Sequence, residues 1–467
     1  MAPDTDFEGS LLLEQHQAPI AAALTPSFAA DSSPEVLASA VQVCAVFVGS
    51  GVIKEVSRMG RILKLLTGAL AQCKGKSNSI SAMKADGTDG EMVTLGDAGD
   101  LSPNASVMLK VSILAAWAQL QIAASSQAYL NDVLKPYRWL LGPFWVGALR
   151  DYAGLRTDPE MGAAVSVGLE TGVARDVLLP VSLTLHTSYR ADIQYYDRSL
   201  PQLVNALAIS LAMSDPYTYS AVDGQPVQSS TAVPAPPAVK AEPAANFYIL
   251  YGLSFEALVK SLGDSTTTQM AQTALRAMSS LVRPDVSGTT VFQGAFFDEL
   301  CTVAYRIAMS EPAVVKKDMV DLMSSFVTSR INTNAFDHAQ ARRVLAVVTY
   351  VLRGTIPSPD VQSTFSYNDT ASGRITFLRS SFTAFAKIVD TLDPTQRADL
   401  YAVGLHLFSD VLRDESPMDL AGGLLGNLKG MLEGLVRGQV PGVQDDQAEK
   451  VVAGLLGACV TNIDDMR

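Results

Sequence analysis

The sequence predicts an all-α fold, an α-α superhelix of the HEAT-like or TPR-like solenoid type, built from antiparallel helix pairs. Three observations support this prediction. Apolar residues recur at spacings of three and four along almost the whole chain, and segments that alternate with period two are nearly absent. Helix pairs also return about every 40 residues in the second half of the chain, which is a period typical of helical repeats. A compact, irregular helical bundle is the alternative.

Residues 104–123 indicate why the helices should stack. This segment carries two apolar stripes at helical spacing, one through Val111 and Ala118 and another through Ile113 and Leu120. A helix that is apolar on two faces must be covered on two sides. An inner helix of a stacked array meets this requirement, because each repeat buries one face on the preceding repeat and one on the next.

The second half of the chain divides into helix pairs at glycine and proline residues. Gly263 ends one apolar stripe, since glycine adopts the left-handed C-cap conformation without a Cβ penalty. Pro284 and Pro312 end two others, because proline cannot continue a helix. The predicted pairs occupy residues 245–283, 292–332, 338–390 and 393–437, and an apolar segment at 451–460 closes the chain.

The predicted organisation is two sets of helical repeats, at residues 1–215 and 245–467, separated by a linker. Residues 216–244 are rich in proline, alanine and serine, a composition that predicts a flexible segment. A stretch rich in glycine, serine and aspartate at 73–101 predicts a mobile loop in the first set. Residues 357–373 predict a second loop, in the C-terminal repeats.

The composition indicates a folded protein of a reducing compartment. Apolar residues make up 48% of the chain and charged residues 18%, so a large core can form. No uninterrupted apolar run reaches about 18 residues, and the first residues carry acid where a signal peptide carries base. None of the four cysteines has a CxxC spacing, so we expect buried free thiols. A cytoplasmic location is therefore expected.

The sequence predicts no catalytic, cofactor-binding or metal-binding residue, and hence no enzyme. The GKS string at 75–77 has Leu70 where a phosphate-binding loop needs its first glycine. The GSG string at 49–51 lacks the GxSxG spacing of a nucleophile elbow. The histidines stand far apart, outside the ligand spacings of metal sites: His16, His186, His338 and His406. An enzyme whose site is assembled from distant residues is the remaining alternative.

Four basic residues form a candidate partner-binding site. Lys54, Arg58, Arg61 and Lys64 recur at spacings of four, three and three, along one side of a predicted helix whose other side is apolar. The chain carries a formal net charge of −12, which disfavours nucleic acid as a partner. On so acidic a chain, this basic stripe is a candidate contact for an acidic partner segment or for anionic lipid headgroups. A solvated helix face is the alternative.

Residues 189–198 concentrate tyrosine, arginine and aspartate. Tyrosine and arginine are enriched at interface hot spots, so Arg190 and Asp197 are candidates for a concave, partner-binding wall. Local ion pairing along one helix accounts for the same run and is the favoured interpretation.

Several strings of helix-packing residues resemble one protein family. They are VC at 43–44 followed by GSGV at 49–52, RILKLL at 61–66, AAWAQ at 115–119, LLGPFW at 140–145, ALRDYA at 148–153 and YILYGLSFE at 248–256. The family is that of the large HEAT-repeat proteins that accompany the clathrin adaptor complex of the trans-Golgi network and endosomes. The likeness is to the C-terminal part of these proteins, is good over residues 8–330 and is looser afterwards.

The resemblance implies a non-enzymatic scaffold for clathrin-dependent sorting between the trans-Golgi network and endosomes. The implied partners are the clathrin adaptor complex 1 and its co-factors, with only a peripheral and indirect association with membranes. The family's large size implies that this chain corresponds to one end of a longer architecture. A generic helical-repeat module for protein interaction or dimerisation, outside clathrin trafficking, is the alternative, and with it a homo-oligomer.

Overall fold

The computed structural model describes residues 16–29, 32–52, 56–73, 103–157, 186–225, 238–330, 337–356, 370–413 and 418–438, together with 449–450, 452–457 and 460. Most of these residues are helical, and none of them forms a strand. The all-α prediction is therefore confirmed.

The first half of the chain contains eight of the described helices. They are α1 (Gln17–Leu24), α2 (Pro34–Gly49), α3 (Val56–Cys73), α4 (Pro103–Ala124), α5 (Ala128–Leu134), α6 (Arg138–Thr157), α7 (His186–Ala212) and α8 (Pro216–Val222). The segment 104–123, predicted as an inner helix, lies in α4. Helix α4 is packed against α2 on one side and α7 on the other, as the two apolar stripes require.

The second half contains the predicted helix pairs. The helices are α9 (Ala245–Ser261), α10 (Thr268–Leu281), α11 (Pro284–Ser287), α12 (Ala295–Ser310), α13 (Ala313–Arg330), α14 (His338–Arg353), α15 (Ala371–Val389), α16 (Pro394–Arg413) and α17 (Met418–Gly438). Helices α10, α13, α15 and α17, the second members of successive pairs, pack side by side in that order. Stacking of equivalent helices is what a solenoid of helix pairs requires, because each pair buries one face on the next.

The chain divides into two compact units. The first unit comprises Met1–Ala238 and Ala244–Ser254, and the second comprises Val239–Pro243 and Phe255–Arg467. The prediction of a flexible linker at residues 216–244 is wrong for its first part. Pro216–Val222 forms α8, which packs against α6. Asp215 caps this helix by accepting from the backbone N–H of Thr218 at 2.9 Å. Residues 226–237 lie outside the described residues.

The structure describes only one end of each of the two predicted loops. Residues 74–102 and 357–369 lie outside the described residues. The end of the second predicted loop is wrong, because α15 already begins at Ala371. Its N-cap is Thr370, whose hydroxyl accepts from the backbone N–H of Gly373 at 3.1 Å.

A short strap, residues 239–243, packs on the turn that follows α11. The carbonyl of Ala241 accepts from the backbone N–H groups of Thr289 at 3.0 Å and Thr290 at 3.2 Å. Gly288 has a φ of +71°, and a Cβ there would lie 2.5 Å from the Ala241 carbonyl oxygen. Glycine is therefore required at this position both by its backbone conformation and by the approach of the strap.

Among the described helices, one is long and apolar enough to cross a membrane, at Ala105–Ala124 within α4, and 72% of that window is buried in the packed unit. Its Trp117 is fully buried and donates from Nε1 to the Leu66 carbonyl of α3 at 3.4 Å. Trp145 of α6 donates to the Leu114 carbonyl at 3.2 Å. Helix α4 is thus the core helix of the first unit.

Two cysteines lie within the described core as free thiols, as predicted. Cys44 and Cys301 are both buried. Burial raises the pKa of Cys44 to about 12 and that of Cys301 to about 11. Because the thiolate is the reactive form, both side chains behave as inert apolar groups at neutral pH.

Asp151 of α6 makes the stability of the first unit depend on pH. Burial raises the pKa of its carboxyl to about 7, against the opposing charge of Arg150. The native state therefore binds more protons than the unfolded chain between about pH 4 and 7, so the free energy of unfolding falls as pH rises through this window.

The variant Asp151→Asn removes this penalty. Its free energy of unfolding is expected to exceed that of the parent by about 1–2 kcal/mol at pH 8, a value discounted for the carboxyl's partial exposure, and by almost nothing at pH 4. Urea unfolding at the two pH values measures the difference. Asp132→Asn, at an exposed position of α5, is the matched control. Equal gains at both pH values would contradict the assignment.

Candidate partner-binding surfaces

The predicted basic stripe falls on and just before α3. Lys64 is exposed on this helix. Arg58 and Arg61 lie in the helix backbone, but their side chains are outside the described residues, as is Lys54 altogether. The structure therefore places the stripe on one helix, except for Lys54, and leaves its role in partner binding a prediction.

Helix α3 is anchored by the face that the sequence marked as apolar. Ile62, Leu66 and Leu70 are buried, and α3 packs against α2 and α4. Lys64 is exposed while these neighbours are buried, which is the arrangement of an amphipathic surface helix. A charged partner can therefore reach Lys64 without disturbing the core.

A second surface, which we call the polar groove, crosses α2, α4 and α7 in the first unit. It is a cavity of about 330 Å³. Its lining residues are Glu35, Ala38, Ser39 and Gln42 of α2, Met108, Ser112, Ala115 and Gln119 of α4, and Tyr195, Arg198, Ser199 and Gln202 of α7. On each helix they follow one another at spacings of about one turn, so each helix contributes one stripe.

Nine of the twelve lining residues carry hydrogen-bonding side chains. Three glutamine amides, three serine hydroxyls and the Tyr195 phenol face one carboxylate, Glu35, and one guanidinium, Arg198. Amides and hydroxyls both donate and accept hydrogen bonds. The groove therefore suits a hydrogen-bonding ligand with few charges better than a polyanion.

The run at 189–198 is divided between the core and the groove. Tyr196 is buried and stacks on Tyr152 of α6, with ring centroids 5.7 Å apart. The Tyr152 hydroxyl donates to the Asp197 carboxylate, so this acid joins α6 to α7. The side chain of Arg190 lies outside the described residues, and Arg198, which the sequence did not single out, lines the groove.

No three histidine, cysteine, aspartate or glutamate side chains within the described ranges lie close enough together to hold a metal ion. His406 is 3.7 Å from Asp410, one turn further along α16, and its side chain is exposed. This is the geometry of a surface pair on one helix face.

Part of the chain is similar in sequence to a known protein family. Residues 1–154 match the family model described as the Laa1/Sip1/HEATR5 HEAT repeat region. The chain is similar to this family. The matched residues include α2 and α4, two of the three helices of the polar groove, and all the residues of the basic stripe.

A relative from yeast extends the likeness to the Laa1/Sip1/HEATR5 family along most of the chain. The AP-1 accessory protein LAA1 of Saccharomyces cerevisiae is 21% identical over 421 residues, which are 87% of this chain and 19% of the yeast protein. The chain thus spans about a fifth of the length of that relative. The resemblance inferred from the helix-packing strings is confirmed.

Proposed function

We propose that the chain is a non-enzymatic helical scaffold, part of an accessory protein of the clathrin adaptor complex 1, that supports sorting between the trans-Golgi network and endosomes. The observation that carries the proposal is the similarity to the yeast AP-1 accessory protein over 87% of the chain. In this proposal the chain works at the cytoplasmic face of these membranes and is held there through its protein partners.

The stacked helices support a scaffold in physical terms. Successive helix pairs in the second unit bury their shared faces on one another, so each repeat keeps an outer surface for other molecules. The polar groove and the α3 surface of the first unit offer two separate places for contact. These are binding features, and the proposal assigns no reaction to them.

Affinity purification from native cells tests the proposal. The protein, tagged in its own gene, is expected to recover the subunits of adaptor complex 1, and its loss is expected to disperse the adaptor from membranes. A matched purification with an unrelated helical-repeat protein sets the background. Recovery of no trafficking component above that background would reject the adaptor role.

The basic stripe gives a sharper prediction. The double variant Arg58→Glu, Arg61→Glu is expected to weaken recruitment to membranes by about thirtyfold or more, because each of the two lost basic residues contributes about 1 kcal/mol near an anionic surface. Thermal stability should change little. Sedimentation with vesicles of mixed phosphatidylcholine and phosphatidylserine tests lipid headgroups, and recovery of adaptor subunits tests an acidic partner segment.

The control exchanges two exposed arginines of the second unit, Arg306→Glu with Arg353→Glu, which change the net charge equally. If recruitment responds to both pairs alike, the effect belongs to net charge and not to α3. If it responds to neither, the stripe is a solvated helix face.

A further inference from the structure

A ligand that crosses the three helices of the polar groove has the length of a short stretch of extended polypeptide. The helices pack in the order α2, α4, α7. Axes of packed helices are about 8–10 Å apart, so a ligand that crosses from α2 to α7 spans roughly 16–20 Å. An extended chain rises about 3.3 Å per residue, so five or six residues cover this distance.

The amides of the groove match the backbone of such a chain. Within the part of the chain that the structure describes, Gln42 and Gln119 have no hydrogen-bonding partner, and Gln42 is exposed. An extended peptide presents N–H and C=O groups that have no partner within the peptide itself. A glutamine side chain can satisfy both, because it donates and accepts.

The guanidinium of the groove, Arg198, forms no salt bridge within the described residues. Its side chain is exposed. A guanidinium binds a carboxylate through two parallel hydrogen bonds, so the matching ligand group is an aspartate or glutamate side chain.

We propose that the polar groove binds an extended segment of a partner protein, about six residues long, with an acidic side chain at Arg198 and backbone groups at Gln42 and Gln119. A nucleic acid or a lipid surface fits poorly, since both demand several cations and the groove has a single arginine opposed by Glu35. The proposal goes beyond the adaptor role and does not depend on it.

Selection from a phage-displayed library of random seven-residue peptides tests the proposal on the 467-residue chain. The selected peptides are expected to share one aspartate or glutamate position. Synthetic peptides of these sequences, measured by fluorescence anisotropy, should bind the variant Arg198→Glu about ten- to a hundredfold more weakly. Gln119→Ala should weaken binding by a few-fold, because it removes one neutral hydrogen-bonding group.

Exchanging the charges distinguishes a direct contact between Arg198 and the acidic residue of the peptide from a general loss of binding affinity. A selected peptide whose acidic residue is replaced with lysine should bind Arg198→Glu more tightly than it binds the parent chain. Arg306→Glu, an exposed arginine at a helical position of the second unit, is the matched control and should leave binding unchanged. Circular dichroism of each variant checks that the helices remain folded.

Three outcomes would overturn the proposal. The first is a selection that enriches no common acidic position. The second is unchanged affinity of the selected peptides for Arg198→Glu. The third is a parent chain that sediments as a dimer while Arg198→Glu sediments as a monomer, because a second copy of the chain, and not a partner segment, would then occupy the groove. Recovery of adaptor subunits is measured separately and tests only the adaptor role.

Discussion

Replacing Arg330 with methionine is expected to lower the free energy of unfolding of the second unit by about 3–5 kcal/mol. Arg330 is buried at the end of α13, between the rings of Phe292 and Phe326, whose centroids lie 5.0 and 4.9 Å from its guanidinium carbon. Its pKa is lowered by burial to about 10, so it stays charged at neutral pH.

The loss follows from the acceptors that Arg330 satisfies. It donates to the Val282 carbonyl at 2.9 Å, the Gly288 carbonyl at 3.2 Å and the Ser287 hydroxyl at 2.7 Å. Methionine keeps much of the packing but donates nothing, so these buried oxygens lose a charged donor. Each unsatisfied buried group costs about 1–3 kcal/mol.

Urea unfolding followed by far-ultraviolet circular dichroism measures the effect of Arg330→Met. All three tryptophans precede residue 150, so their fluorescence reports the first unit and serves as an internal reference. Arg306→Met, at an exposed helical position, is the control and should change stability by about 0.5 kcal/mol or less. A loss of similar size in both variants would show that the buried network contributes little.

Replacing Gly434 with alanine is expected to lower the free energy of unfolding by about 2–3 kcal/mol. A Cβ at this position of α17 would lie 2.4 Å from the Tyr401 ring of α16. That ring cannot move aside, because it is buried and its hydroxyl donates to Asp390 at 2.7 Å and to the Ala386 carbonyl at 3.2 Å. The two helices must therefore separate.

The same helix supplies matched controls for Gly434→Ala. A Cβ on Gly426 or Gly430 would meet no atom within 4 Å. Alanine at either position is expected to stabilise the helix by up to about 1 kcal/mol, because alanine has the higher helix propensity. Thermal unfolding of the three single variants should therefore show opposite signs. A rise in Tm for Gly434→Ala would refute the close packing of α17 on α16.

Periodicity predicted the helices well because each buries a wide apolar face. The pair predicted at 292–332 corresponds to α12 and α13, and the pair at 393–437 to α16 and α17. Proline was less informative. The sequence predicts that Pro216 starts a linker, yet it occupies the first turn of α8 after the Asp215 cap. A first-turn proline loses no intrahelical hydrogen bond, so the same residue can begin a helix or interrupt one.

The polar groove could not be predicted in the same way. Gln42, Gln119 and Arg198 are separated by about 80 residues at each step, and only the packing of α2, α4 and α7 brings them together. One signal was present in α4, where Ser112 and Gln119 are polar positions two turns apart in a largely apolar helix. A polar stripe on an inner helix marks a face that the stack leaves open, but its partners on other helices become visible only in three dimensions.

The strap at 239–243 decides where the second unit can be cut for separate expression. By helix boundaries alone, the start of α9 at Ala245 is a natural place, since it begins a helix pair. A fragment cut there would leave the backbone N–H groups of Thr289 and Thr290 without the Ala241 carbonyl. It would also remove the strap that packs against Gly288, although that glycine would keep its left-handed backbone conformation. A fragment that begins before Val239 keeps the five residues that complete the unit.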